Sequence, residues 1–141
     1  DIFQQGEIAV AAYILRVGRL RYSQMHIGMS TVEVELKAGP SAWVAELAVW
    51  SHWTHRGYAD AMGHCELLTL KAEQLECVFI KYMSVRLLVN DYCRTVCTCV
   101  TGIGIQKATD LPLHLDPLHL EHSMTILQLP AETRMNISNT L

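Results

Sequence analysis

The sequence predicts a single domain of the α/β class, with a mixed, mostly antiparallel sheet and a central β-α-β crossover. Three observations in the 141 residues support this prediction. Residues 31–37 alternate strictly between apolar and charged side chains, as in a half-buried antiparallel strand. Residues 43–49 are almost all apolar, which favours a central strand. After Gly57 apolar residues recur every three or four positions, which is typical of a helix.

The elements are predicted in the order β-β-β-α-β-α-β. The first strand, residues 8–17, is rich in branched and aromatic residues. The alternating strand at 31–37 comes second, and the turn sequence Ala-Gly-Pro at 38–40 leads into the third strand, 43–49. The first helix carries its apolar stripe on Tyr58, Ala61, Cys65, Leu68, Ala72 and Leu75.

A dense apolar run at 77–85 directly follows this helix and predicts a strand parallel to 43–49, which completes the crossover. Asn90 or Asp91 then caps a second helix at 91–100. Residues 123–130 predict a last strand. The polar residues 131–141 predict a flexible tail of the same domain.

The composition limits the classes of partner. Half of the residues are hydrophobic and 18% are charged, which excludes a disordered chain. The formal net charge is −3 and Lys and Arg form no run, which argues against nucleic acid. The slightly positive mean hydropathy favours an exposed apolar patch, and hence a homodimer or another partner.

The sequence predicts a cytoplasmic protein that does not bind to membranes. Its first apolar stretch is interrupted by Arg16 and does not fit a signal peptide. No apolar run reaches the ~20 residues that a membrane-spanning helix needs. The five cysteines are odd in number, and three lie within residues 93–99, unlike a secreted disulfide framework.

A short segment, residues 54–59, lies between the apolar strand at 43–49 and the predicted helix. Helix N-termini carry unpaired amides that bind anions, and Gly57 would let the backbone approach a phosphate closely. Arg56 adds a cation. The alternative is an ordinary tight turn, in which Gly57 serves the backbone and Arg56 is solvated.

These elements resemble the GNAT superfamily of N-acetyltransferases, as a divergent and N-terminally short member. That family's pyrophosphate loop reads Gln/Arg-x-x-Gly-x-Gly/Ala. Thr54, Gly57 and Ala59 stand at its first, fourth and sixth positions. Asn90 follows the next predicted strand, about where the family places an asparagine beside the pantetheine of coenzyme A. The resemblance extends over roughly residues 8–129.

The resemblance implies transfer of an acetyl group from acetyl-CoA, as co-substrate, to a small primary amine, a peptide N-terminus or a lysine. Glu46 would be the base, and Tyr92 or Cys97 the acid. The alternatives are a paired or solvated Glu46 and a Cys97 that packs in a core. A non-catalytic CoA-binding or assembly protein with the same scaffold is the alternative function. The residues implied in cofactor binding are Leu47, Ala48, Val49, Thr54, His55, Arg56, Gly57, Tyr58, Ala59 and Asn90.

Two clusters of metal-ligating residue types do not predict a metal site. Cys93, Cys97 and Cys99 lack the paired spacing of structural zinc ligands. The histidines of residues 114–122 lie in a proline-broken segment, where solvation is the alternative to metal binding. Trp50 and Trp53 lie beside the proposed loop and could stack on an adenine or an acceptor, or cover a subunit interface. The sequence leaves this choice open.

Overall fold

The computed structural model describes residues 1–25, 31–39, 42–103 and 108–111. The described residues form two compact units. The first comprises residues 1–74 and 109–111, and the second comprises residues 75–103 and residue 108. The first unit contains both sheets, and the second contains most of the helical residues.

The described elements follow the order of four strands, one short helix, two strands and two helices. The strands are β1 (Ala12–Val17), β2 (Arg19–Met25), β3 (Thr31–Lys37), β4 (Trp43–Val44), β5 (Tyr58–Ala61) and β6 (Glu66–Leu70). The helices are α1 (Leu47–Trp50), α2 (Ala72–Lys81) and α3 (Met83–Ile103).

The strand β2 is the centre of one three-stranded sheet, in the order β3-β2-β5. Both pairings are antiparallel. Leu20 and Tyr22 lie on the same face of β2 and are fully buried, because side chains two positions apart point the same way. The opposite face is exposed and carries an ion pair between Arg21 and Glu33. This sheet therefore has one face in the core and one in water.

The strand β1 is the centre of the other sheet, in the order β4-β1-β6, again with antiparallel pairings. Ala12, Leu15 and Val44 supply its buried side chains. The register between β1 and β6 shifts between Leu15 and Val17, which marks a local irregularity of the β-bulge type.

The second unit is helical where the structure describes it. Helical hydrogen bonding continues from α2 into α3, since the amide of Tyr82 donates to the carbonyl of Val78. Val96 and Val100 of α3 are buried, whereas α2 buries no residue. Within the described part of the chain, no helix is both long enough and apolar enough to cross a membrane.

The predicted combination of helices and strands is confirmed. The strand predicted at 31–37 coincides with β3 and pairs antiparallel with β2, and β1 lies within the strand predicted at 8–17. The helix predicted at 91–100 lies within α3. The strand predicted at 123–130 and the tail at 131–141 lie outside the described residues.

The prediction of a central strand at 43–49 is wrong. Only Trp43 and Val44 are extended, and they form an edge strand. Ala45 adopts φ 57, in the left-handed region, so an extended chain cannot continue through it. The next residues turn into the short helix α1 instead. A run of apolar residues could not reveal this single backbone angle.

The predicted β-α-β crossover is wrong as well. Residues 58–61 form β5 rather than a helix, with Ala59 buried and Tyr58 half exposed. Gly63, at φ 93, lies in the turn that leads to β6. The residues of the predicted strand at 77–85 lie in α2 and α3, apart from Tyr82 between them. A short apolar run does not distinguish a strand from a helix. All pairings between the described strands are antiparallel.

Candidate functional site

The Trp53 loop, residues 53–57, lies between α1 and β5 and is fixed by the N-terminal segment. The amide of Ala9 donates to the carbonyl of Trp53 at 2.9 Å. The amide of His55 donates to the carbonyl of Glu7 at the same distance. The loop therefore has a defined backbone path although it is neither helix nor strand.

Gly57 ends this loop in close contact with β2. A Cβ atom built on Gly57 would meet the carbonyl oxygen of Ser23, and it would lie 2.6 Å from the hydroxyl oxygen of Tyr22. Real Cβ atoms do not approach backbone so closely, so only glycine fits without displacing the strand. The glycine of the Arg-Gly step thus serves close packing against β2.

The carboxylate of Asp110 lies at the centre of the site, with 1% of the residue exposed. Its Oδ1 accepts a hydrogen bond from Trp53 Nε1 at 2.7 Å and lies 3.0 Å from His55 Nδ1. Its Oδ2 accepts from the backbone amides of Arg56 at 2.6 Å and Gly57 at 3.1 Å. Burial of a carboxylate is costly unless donors surround it, and these groups meet that requirement.

Tyr22 extends this network into the core of the sheet. Its hydroxyl lies 3.1 Å from Asp110 Oδ2 and 2.9 Å from Gln24 Oε1, and its single proton can serve only one of these acceptors at a time. The hydroxyl oxygen also accepts from the amide of Asp110 at 3.2 Å. Burial, and secondly the charge of Asp110, raise the pKa of Tyr22 well above its ordinary value.

His55 is enclosed from its other side by the N-terminal segment. Its ring stacks on Phe3, with centroids 3.7 Å apart and planes 3° from parallel. Only 3% of His55 is exposed. Because a carboxylate only accepts hydrogen bonds, contact with Asp110 favours the form of His55 that carries a hydrogen on Nδ1.

Arg56 is the cation of the loop, and it is half-buried. Its guanidinium carbon lies 5.3 Å from the centre of the Trp53 ring, within the range of a cation–π contact. Its Nε is buried and has no hydrogen-bond partner among the described residues. Asp110 binds the backbone amide of Arg56 and makes no ion pair with its guanidinium. Among the described residues, no carboxylate forms an ion pair with this guanidinium.

Asp110 also binds the turn that precedes α1. The amide of Ala45, the residue with positive φ, donates to the main-chain carbonyl of Asp110 at 2.7 Å. Glu46 follows at the N-cap of α1, and its Oε1 accepts from Trp50 Nε1 at 3.3 Å. Asp110 thus joins the turn before α1 to the Trp53 loop after it.

Comparison with known proteins supports the assignment of a fold. No family model matches the chain, and no curated protein matches its sequence. The catabolite activator protein of Thermus thermophilus aligns with a TM-score of 0.54 and 20% identity, over 74% of this chain and 47% of that one. The half-site-occupied form of the EAL enzyme Bd1971 aligns with a TM-score of 0.55 and 22% identity, over 67% of this chain and 85% of that one.

The fold is similar to that of a catabolite activator protein. This chain spans about half of the length of that protein. A cAMP-bound form of Bd1971 aligns with a TM-score of only 0.47 and 21% identity, over 74% of this chain and 28% of that one.

The resemblance to the GNAT superfamily is wrong. The structural neighbours are a catabolite activator protein and an EAL enzyme, and neither is an acetyltransferase. The crossover on which the resemblance depended does not occur among the described strands. The inferred acetyl transfer therefore loses its basis, whereas the alternative of a non-catalytic protein stays a prediction. Binding of acetyl-CoA and formation of a homodimer stay predictions from the sequence.

The residues predicted to bind coenzyme A through a strand edge lie in a helix. Leu47, Ala48 and Val49 are buried in α1. The amide of Val49 donates to the carbonyl of Glu46 at 3.0 Å, within the helical turn. Because these residues are not extended, they do not offer the strand edge along which a pantetheine arm was expected to pair. Glu46 likewise caps a helix instead of lying on a strand.

The remaining predicted residues are divided between the two units. His55, Arg56 and Gly57 meet around Asp110, whereas Tyr58 and Ala59 belong to β5. Thr54 forms an isolated bridge with Ile8 in the first unit. Asn90, Tyr92 and Cys97 all lie within α3 of the second unit. The catalytic and binding roles assigned to them from the sequence stay predictions.

Sequence reasoning did not identify Asp110 or Tyr22 as site residues. Asp110 stands in a proline-containing stretch that has no helical or strand period, and nothing local indicates that it is buried. The alternation of residues 19–25 would have assigned β2 and placed Tyr22 inward. The histidine cluster at 114–122 lies outside the described residues. Among the described ones, no group of three or more His, Cys, Asp or Glu is suited to a metal.

Proposed function

We propose that this chain is a regulatory module that binds a cyclic nucleotide, with Arg56 contacting the cyclic phosphate. One observation carries the proposal. Arg56 is a half-buried cation that lies over Trp53 and has a buried Nε with no partner among the described residues. A group of this kind lowers its free energy when an anion supplies the missing acceptors.

The chemistry of arginine fits a phosphate diester. A guanidinium presents several N–H donors in one plane, and two of them can reach two phosphate oxygens at once. Contact with the Trp53 ring restricts the side chain before a ligand arrives, so less conformational entropy is lost on binding. Asp110 anchors the backbone of Arg56 without neutralising its guanidinium.

The structural neighbours support the same class of ligand. Bd1971, whose half-site-occupied form shares this fold, also has a form described as bound to cAMP. The proposal is for binding and not for catalysis, because the buried carboxylate of Asp110 is surrounded by donors and has no open position for a proton from a substrate.

Calorimetric titration tests the proposal. We expect saturable binding of cAMP or cGMP, and much weaker binding of 5′-AMP and acetyl-CoA. Arg56→Gln should weaken cyclic-nucleotide binding by about tenfold or more, since hydrogen bonds to charged groups are worth roughly 1.5–3 kcal/mol. Arg21→Gln is the matched control, because Arg21 lies on the exposed face of β2 and pairs with Glu33.

Two results would contradict the proposal. One is a folded wild-type protein that binds neither cyclic nucleotide. The other is equal affinity in wild type and Arg56→Gln, which would place any bound nucleotide away from Arg56. Tight binding of acetyl-CoA without any binding of cyclic nucleotides would point back to the cofactor expected from the sequence.

A further inference from the structure

We infer that Asp110 is a positioning residue that sets the place of Arg56 for nucleotide binding, an inference that rests on the proposed function. Asp110 lies 54 positions after Arg56 in the chain, yet its carboxylate is 2.6 Å from the backbone amide of Arg56. It belongs to the short described segment 108–111, which contributes no helix or strand to the first unit. Asp110 itself bonds to the Trp53 loop and to Tyr22 of β2.

Asp110 holds the Trp53 loop through both of its carboxylate oxygens. The two carboxylate oxygens of Asp110 contact the side chains of Trp53 and His55 and the amides of Arg56 and Gly57. Four contacts from one side chain to a loop of five residues fix the backbone on both sides of the Arg56 Cα. The backbone bonds of the loop to Gly6, Glu7 and Ala9 are made at Trp53 and His55, so the amides of Arg56 and Gly57 depend on Asp110 for their acceptor.

Asp110 also holds the turn on the other side of α1. The main-chain carbonyl of Asp110 accepts from the amide of Ala45 at 2.7 Å. Ala45 has φ 57, a conformation that costs about 1–2 kcal/mol for a residue other than glycine and needs support from its surroundings. Asp110 thereby holds the turn at Ala45 and the loop at Arg56 in a fixed relation, on the two sides of one short helix.

Asp110 is too deeply buried to contact a ligand itself. With 1% exposure, Asp110 lies beneath the loop against the hydroxyl of Tyr22, where a nucleotide cannot reach it. Its interaction with Arg56 is through the backbone amide only. The arrangement orients the residue and leaves the guanidinium charge for the ligand. An ion pair between Asp110 and the guanidinium would instead neutralise the charge that the ligand needs.

The variant Asp110→Asn tests this assignment, because it keeps the shape of the side chain and exchanges one acceptor oxygen for an NH2 donor. Whichever way the amide turns, the NH2 group faces N–H donors of the loop. We expect affinity for cAMP or cGMP to fall by about tenfold or more. Asp60→Asn is the matched control, since Asp60 is partly exposed on β5. The affinity of this variant for cAMP or cGMP should stay within about twofold of wild type.

Two further measurements separate positioning from a general loss of structure. The indole Nε1–H resonance of Trp53, assigned with Trp53→Phe, should shift in Asp110→Asn because its acceptor changes. The far-UV circular dichroism should stay that of wild type at the temperature of the titration. A folded Asp110→Asn variant with wild-type affinity overturns the inference and leaves the proposed function intact.

Amide hydrogen exchange on the wild-type protein decides the matter if Asp110→Asn does not fold. The amides of Arg56 and Gly57 should exchange at least about a hundredfold more slowly than open loop amides, because both donate to a buried carboxylate. Fast exchange at both positions overturns the inference. A wild-type protein that binds no cyclic nucleotide overturns the proposed function, and slow exchange would then still show that Asp110 holds the loop.

Discussion

The indole Nε1 of Trp53 donates a 2.7 Å hydrogen bond to Asp110, which lies 57 positions later in the chain. The guanidinium carbon of Arg56 lies 5.3 Å from the centre of the same indole ring. Trp53 therefore contacts an anion through its edge and a cation through its face. This fits the charge distribution of an indole, which is positive at the N–H edge and negative over the ring.

Replacing Trp53 with Phe should lower the free energy of unfolding by about 1.5–3 kcal/mol, since the buried carboxylate of Asp110 loses a donor. Urea denaturation followed by circular dichroism measures the change. Trp50→Phe is the control, because Trp50 is half-buried and its indole makes a longer bond, 3.3 Å, to Glu46. Equal losses in the two variants would show that the bond to Asp110 has no special weight.

The sequence predicted those parts of the fold whose side-chain pattern has one structural solution. The alternation of residues 31–37 identified β3 to the residue, because charged and apolar side chains cannot share one face of a half-buried strand. Residues 43–49 and 77–85 offered only apolar runs. Such runs are compatible with strand and helix, and in one case the left-handed angle of Ala45 decided the outcome.

The candidate site was predictable only in part, for a different reason. The Arg-Gly step drew attention to Arg56 and Gly57, and both residues do lie in the site. Their partner Asp110 is distant in sequence, and its burial depends on long-range contacts with Tyr22 and Trp53. The periodic pattern of apolar side chains along a sequence does not predict such long-range contacts. The amides of Arg56 and Gly57 donate to this distant carboxylate.

Gly57→Ala should destabilise the protein by about 1–3 kcal/mol or more, as an overpacked core position does. The added methyl group would meet the carbonyl of Ser23 and the ring of Tyr22, and neither can move without displacing β2. Thermal unfolding measures the effect. Gly39→Ala is the control, since the nearest atom to its Cβ is 3.9 Å away. A Gly57→Ala variant as stable as the control would refute the close packing against β2.

The raised pKa of Tyr22 predicts that the protein loses stability in alkaline solution. Its pKa is raised above the ordinary 10.0 by burial and by Asp110, so the folded state keeps a proton that the unfolded chain releases. Its stabilising contribution is thus fully present below pH 10 and declines as the pH rises further. The slope is up to about 1.4 kcal/mol per pH unit for one proton.

Urea denaturation between pH 8 and about pH 11, on either side of the ordinary tyrosine pKa, tests this sign. Tyr22→Phe should be less stable than wild type at pH 8, because the hydroxyl's hydrogen bonds are lost, and the difference should shrink above pH 10. Tyr58→Phe removes a half-exposed hydroxyl on β5 and serves as the control. A difference between wild type and Tyr22→Phe that stays constant across this range would contradict the raised pKa.

Arg56→Met separates the contribution of Arg56 to folding from its contribution to binding. Methionine keeps an apolar stem of similar reach over Trp53 but removes a guanidinium whose Nε has no partner among the described residues. Stability without ligand should therefore change by no more than about 0.5 kcal/mol, or rise slightly. The shift in melting temperature that saturating cAMP or cGMP gives the wild type should become smaller, because stabilisation by a ligand falls as its affinity falls. Differential scanning fluorimetry with and without nucleotide measures both quantities on one sample.

Two outcomes for Arg56→Met would contradict these expectations. A large loss of stability without ligand would mean that Arg56 stabilises the fold. A nucleotide-induced shift in melting temperature equal to that of wild type would mean that the phosphate is bound elsewhere.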